Sequence, residues 1–267
     1  MLKQRIITAA ILLPLVVLLV LMAPTWLFAI LSSLMVIVGM WEWSNLCGGD
    51  TIYRNLFKVV IISAILYLLW LGRKNVVILW STEAAAMIWW LFALFWVFFW
   101  QKQFPSAIKY ICGLLTLIPA WMAFVDVHAG TRGPQILLFL LALIWSADIG
   151  AYFTGKMFGR HKLAPKVSPG KTWEGVAGGT MAVLGVSIAG VILVLPKYGY
   201  YLVFVCLLSG WLSIVGDLSE SLFKRQAGVK DSGRLFPGHG GLLDRVDSLT
   251  AALPAFWLGL AVYGWMR

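Results

Sequence analysis

Nine apolar runs, each close to the length that crosses a bilayer, constrain this chain more than any other feature. They fall near residues 6–22, 26–42, 57–71, 84–100, 108–125, 135–155, 175–195, 199–217 and 247–265. A span needs about 20 apolar residues, so nine take about 180 and leave under about 90 for all termini and connections. No separate soluble domain fits that remainder. Charged residues make up 12% of the 267 and hydrophobic ones 61%, whereas an ordinary soluble domain is about 25% charged. Such a chain cannot cover a water-facing globule, and the same composition excludes disorder. The expected fold class is an all-α polytopic membrane protein with about nine transmembrane helices.

The 21 Lys and Arg outnumber the 11 Asp and Glu, a formal charge of +10. In a soluble protein that excess suggests nucleic acid; in a membrane protein it suggests loops gathered on one side, and no nucleic-acid partner is expected. A cytoplasmic N-terminus puts 16 Lys and Arg inside, including Lys3, Arg5, all those from Lys156 to Lys171 and all those from Lys224 to Arg245. Five lie outside: Arg73, Lys74, Arg132, Lys197 and Arg267. Dropping or adding an early span would move two highly basic loops to the wrong face, so the expected topology is N-terminus cytoplasmic and C-terminus outside. The run Ile6 to Met22 exceeds a signal-peptide core, and Ala23-Pro24 is a poor cleavage site, so it reads as a retained first span. Cys47, Cys112 and Cys206 form no metal spacing or disulfide framework.

The two halves differ. Residues 145–267 hold 19 of the 26 glycines and 7 of the 11 acids, and glycine lets helices approach closely. Residues 1–134 therefore read as a support region of about five helices that could present the surface of a homodimer. Residues 135–267 read as the functional region, with two basic cytoplasmic loops at 156–174 and 218–246. Trp89, Trp90, Trp96 and Trp100 are expected to face lipid, and Glu42, between two tryptophans at an inner span end, to act as an interfacial anchor.

Charges inside membrane segments are costly and mark function by default. Asp148 lies late in one outside-to-inside span, and Asp217 ends another. Asp244 and Asp247 open the last span from the inside, and their i, i+3 spacing puts both on one helix face. These acids from three helices approach the cytoplasmic leaflet beside many bases. That suggests Mg²⁺ with phosphate-rich substrates, since Mg²⁺ takes one or two carboxylates plus substrate phosphates. The plain alternative makes them salt-bridge partners of Lys224, Arg225 and Arg245, or helix caps.

The stretch Gly216 to Asp247 carries five charges of each sign and glycines at 228, 233, 238, 240 and 241. Free backbone N–H groups in such turns can meet an anion. His239 either hydrogen-bonds a phosphate or nucleotide or caps its own loop. The other basic loop contains Ser168-Pro-Gly-Lys-Thr172, which lacks the first glycine and the preceding strand of a P-loop. A phosphate-binding role remains for Ser168, Lys171 and Thr172, against a plain positive-inside loop.

The C-terminal segment closely resembles the signature of the phosphatidate cytidylyltransferase (CDP-diacylglycerol synthase) family, bacterial type. The matching residues are Ser221, Lys224-Arg225, Lys230-Asp231, Gly233, Pro237, His239-Gly240-Gly241, Asp244-Arg245 and Asp247. Ser168 to Glu174, the Asp148 segment and Lys3 to Pro14 also resemble that family, so the likeness covers nearly the whole chain. It implies an integral enzyme of the plasma (inner) membrane that makes CDP-diacylglycerol and pyrophosphate from CTP and phosphatidate, with its site facing the cytoplasm. It also implies Mg²⁺, alone or with a second cation, on Asp217, Asp244 and Asp247, with Asp148 as a further candidate. Lys171 is the candidate for stabilising charge. Ser168, Thr172, Ser221, Lys224, Arg225, Lys230, His239 and Arg245 are the candidates for holding substrate, with membrane lipid around them. The alternative, a membrane transporter for an anionic solute, predicts related halves and a midplane site; here the halves are unlike and the charges crowd one face.

Overall fold

The computed structural model describes residues 2–48, 51–194, 196–236 and 240–264, with side chains from residue 10 onward except that of Tyr198. Among them are nine α-helices: α1 (Leu2–Met22), α2 (Thr25–Leu46), α3 (Ile52–Gly72), α4 (Val76–Phe95), α5 (Ser106–Ala129), α6 (Gly133–Phe158), α7 (Trp173–Leu193), α8 (Gly199–Gln226) and α9 (Leu243–Val262). Seven of them, α2 to α8, are long and apolar enough to cross a membrane. The protein is a polytopic integral membrane protein.

Hydrogen bonds between helix ends sort the chain into two faces. On one, Trp43 Nε1 donates to Lys109 O at 2.8 Å, Ser106 Oγ to Cys47 O at 2.7 Å, and Gln226 Nε2 to Lys102 O at 3.1 Å. On the other, His128 Nε2 lies 3.1 Å from Val20 O, and Tyr263 Oη donates to Lys197 O at 3.2 Å. The first face carries the basic loops.

The helical membrane architecture is the expected one, and two local features depart from the expected boundaries. The loop after α6 folds into an antiparallel hairpin, β1 (Lys162–Ala164) with β2 (Ser168–Thr172), with Lys162 opposite Thr172 and Ala164 opposite Ser168. Its Leu163, Ala164 and Val167 are buried, an apolar set too short to stand out between lysines. The second departure is α8, which continues nine residues past Asp217. Leu218, Leu222 and Phe223 extend its buried face, so Ser221, Lys224 and Arg225 are helix residues, and the loop begins at 227 instead of 218.

The bulky N-terminal half explains that extension. Phe223 packs against Trp43 and Trp96, with ring centroids 4.8 and 4.7 Å apart, which fastens the end of α8 to α2 and to the π-helical turn Trp96–Trp100 after α4. Trp89, Trp90 and Trp96 are buried, so they are core residues and not the lipid-facing ones expected. Glycine sets the other seams. A Cβ on Gly178 would run into Thr154 and the Gly150 carbonyl, and one on Gly216 would run into the Asp247 carbonyl. The α6–α7 and α8–α9 pairs therefore close to backbone contact, and the second contact sets Asp217 beside Asp247.

Candidate active site

A cavity of about 550 Å³ lies between α6, the hairpin, α7 and α8. Asp148, Ser168, Lys171, Thr172 and Asp217 give it a polar part; the rest of the lining is mostly apolar, with Val176, Val183, Leu207, Ile214, Tyr152, Trp211 and glycines, and includes Lys156 and Thr180. β2 carries Lys171 over this part, where its Nζ lies 2.7 Å from Asp217 Oδ2. The remaining Asp217 oxygen accepts from Ser221 Oγ at 3.3 Å. Thr172 Oγ1 accepts from Gly175 N–H at 3.1 Å and so caps α7; its own proton remains to be donated. The N–H groups of Trp173 and Gly175 in the first turn of α7 are taken by the His161 carbonyl and Thr172 Oγ1, so the Lys171 ammonium and the Ser168 and Thr172 hydroxyls are what this part can turn toward a phosphate. A strand does lead into this helix, but Gly170-Lys-Thr172 lies within the strand itself, and no loop wraps as a P-loop does.

A second cluster stands behind Asp217, where α8 meets α9. Lys224 Nζ lies 2.5 Å from Asp244 Oδ1 and 3.1 Å from Glu220 Oε1, with all three side chains less than a tenth exposed. Asp244 Oδ2 accepts from the N–H groups of Ser232 at 2.9 Å and Gly241 at 2.8 Å. Gly240, at φ 81°, makes the turn that aims the Gly241 N–H inward. Asp247 Oδ1 accepts from Ser248 N–H, and its carboxylate lies within electrostatic reach of Asp217 and Glu220.

The remaining candidates occupy other places. Arg225 donates to the carbonyls of Val167 and Val229, both at 3.3 Å, so it ties the hairpin to the end of α8. Lys230 is exposed. Arg245 is exposed and, with Lys171, lies within electrostatic reach of Asp148. His239 lies outside the described residues. Two contributors escaped the sequence reading. Glu220 sits one helical turn after Asp217 and faces Lys224, a position legible only once α8 is known to continue. Glu42 is buried, not interfacial, and accepts hydrogen bonds from the loop before α9.

Asp148, Asp217, Glu220, Asp244 and Asp247 outnumber Lys171, Lys224 and Arg245; Asp148 and Arg245 are exposed, so the costly uncompensated charge lies among Glu220, Asp244 and Asp247 around Lys224. Among the described residues no three acids, histidines or cysteines form a ready-made metal cage. A hard cation held by one or two carboxylates and completed by substrate phosphates fits both facts. Asp247, of which one oxygen accepts from Ser248 N–H, and Asp217, whose partner Lys171 is itself a quarter exposed, are better placed than Asp244, which is held by buried Lys224 and two backbone N–H groups.

Fold and cavity together define an integral membrane protein whose charged site lies at one end of a helical bundle. The chain belongs to the cytidylyltransferase family, whose sequence model matches residues 3–263. It is 40% identical to the phosphatidate cytidylyltransferase of Pseudomonas aeruginosa over 99% of each chain. Identity to the Haemophilus influenzae enzyme of that name is 35%, over 96% of this chain and 97% of the other. The Bacillus subtilis one is 38% identical over 57% of this chain and 59% of its own.

Proposed function

We propose that this protein makes CDP-diacylglycerol and pyrophosphate from CTP and phosphatidate. The observation that carries the reading is one cavity with two characters. Its polar part offers Lys171, Ser168 and Thr172 to phosphates, and its largely apolar walls end at Tyr152 and Trp211, which are 61% and 52% exposed where a bundle of this kind meets lipid. A soluble nucleotide and a two-tailed lipid need such a shared space. Full-length similarity to enzymes named for this activity supports the same substrates.

The lipid phosphate is already ionised at neutral pH, so the reaction needs positioning and charge neutralisation and no general base. A phosphatidate oxygen forms a bond to the α-phosphorus of CTP as the bond from that phosphorus to the β-bridging oxygen breaks, and pyrophosphate leaves with the electron pair. Lys171, freed from Asp217, would hold departing phosphate charge, with Ser168 and Thr172 donating beside it. Asp217 and Asp247, with Asp244 behind them, would hold Mg²⁺, which supplies neutralisation of the nucleotide phosphates and polarisation of the α-phosphorus.

The topology belongs to the same reading. At 21 and 20 residues, α1 and α9 are long enough for a core of about 30 Å, which makes nine spans with the basic face in the cytoplasm of the plasma membrane. The test is purified protein with labelled CTP, phosphatidate and Mg²⁺. CDP-lipid is the expected product; no product, with an anion carried across vesicles instead, would favour a transporter.

A further inference from the structure

We infer that Glu42 is a positioning residue for this site, acting from α2 through the turn before α9 on Asp244. The inference rests on the proposed function for what is positioned, and on geometry alone for the hold. Glu42 is 6% exposed. Its Oε1 accepts from Leu242 N–H at 3.0 Å, and its Oε2 from Leu243 N–H at 3.0 Å and Ser232 Oγ at 2.8 Å. These partners lie 190 to 201 positions away in sequence.

The first N–H groups of a helix have no intrahelical acceptor, and Leu242, at the N-cap of α9, has no side chain to supply one. A carboxylate from another helix fills that place, and its charge opposes the positive end of the α9 dipole. The neighbouring sequence is shaped to admit it: a Cβ on Gly233 or Gly241 would collide with the Glu42 carboxylate. Ser232 Oγ also lies 3.0 Å from Asp244 Oδ2, so one hydroxyl stands between the two acids. The path Glu42, Ser232, Asp244, Lys224 joins α2, the turn, α9 and α8. Asp247 follows Asp244 by one helical turn, so a shift at the start of α9 moves both.

The experiment compares wild type, Glu42→Gln and Ser232→Ala by kcat, by KM for CTP and phosphatidate, and by amide hydrogen exchange. The amide of Glu42→Gln must set a donor against one of the two backbone donors. It should lower kcat by about 100-fold, the cost of a small misplacement, with either KM within about threefold. Exchange over 241–247 should rise about tenfold, as for a lost cap, while α6 exchanges as before. Ser232→Ala should lower kcat by about fivefold, the size of one hydrogen bond, with the same KM pattern. A Glu42→Gln kcat within about twofold of wild type overturns the inference, and so does exchange raised throughout the bundle. If Glu42→Gln does not fold, Ser232→Ala decides, and a wild-type kcat there overturns it. A wild type that makes no CDP-lipid overturns the proposed function, and the exchange comparison then judges the hold by itself.

Discussion

Lys171 reaches Asp217 across the polar part of the cavity with both side chains about a quarter exposed. It is near enough to water to change partners when a phosphate arrives. Lys171→Ala should raise KM for CTP by about tenfold or more, one charge-assisted hydrogen bond, and leave KM for phosphatidate nearly unchanged. Lys171→Arg should recover part of the loss, since a planar fork replaces a compact ammonium. Equal CTP curves for Lys171→Ala and a Lys162→Ala control would remove Lys171 from the nucleotide site. For the acids, Asp→Asn at Asp217, Asp244 or Asp247 should lower turnover by about 100-fold or more, and full activity in the Asp217 and Asp247 variants would sink the metal assignment. Glu83 on α4 is a different case. It is wholly buried, its oxygens have no hydrogen-bond partner among the described residues, and Asp126 lies within electrostatic reach. Glu83→Met should stabilise the protein by about 1–3 kcal/mol, the cost of an unsatisfied buried group, and leave the CDP-lipid rate unchanged. A lower melting temperature in detergent would show that the carboxyl is engaged.

At the scale of elements, the seam between α6 and α7 sets the width of the cavity, because glycine lets the two helices touch along one side while α8 stands off on the other. Gly178→Val would press two methyl groups into Thr154 and the Gly150 carbonyl. It should destabilise by about 1–3 kcal/mol or more, as overpacking does, and should lower activity by moving the hairpin. Gly185, on the same helix, has open space where its Cβ would go. Gly185→Ala should be neutral or stabilising by up to about 1 kcal/mol. Thermal unfolding of both variants in one detergent is the comparison, and equal melting temperatures would mean that the glycine contact does not hold the seam.

For the whole molecule, the prediction concerns sidedness. In a background lacking Cys47, Cys112 and Cys206, cysteines placed at Lys162 and Lys230 should react only with reagent that reaches the cytoplasm. One at Lys197 should react from outside; all three positions are exposed. Labelling of Lys230→Cys from outside intact cells would turn the bundle over and separate the site from cytoplasmic nucleotide.

The sequence by itself determined the environment and the inventory. Apolar length specifies helices that span a bilayer, because lipid offers the backbone no other partner, and intramembrane cost singles out Asp148, Asp217, Asp244 and Asp247. Tertiary structure decided which of these meet. Whether Asp217 lies beside Asp247 depends on a backbone contact at Gly216, and whether Lys171 reaches Asp217 depends on a hairpin of eight strand residues. Glu42 is the clearest instance. Nothing local distinguishes a glutamate between two tryptophans as an anchor or as a cap; only the packing of α2 against the start of α9 brings it to the two N–H groups that it satisfies.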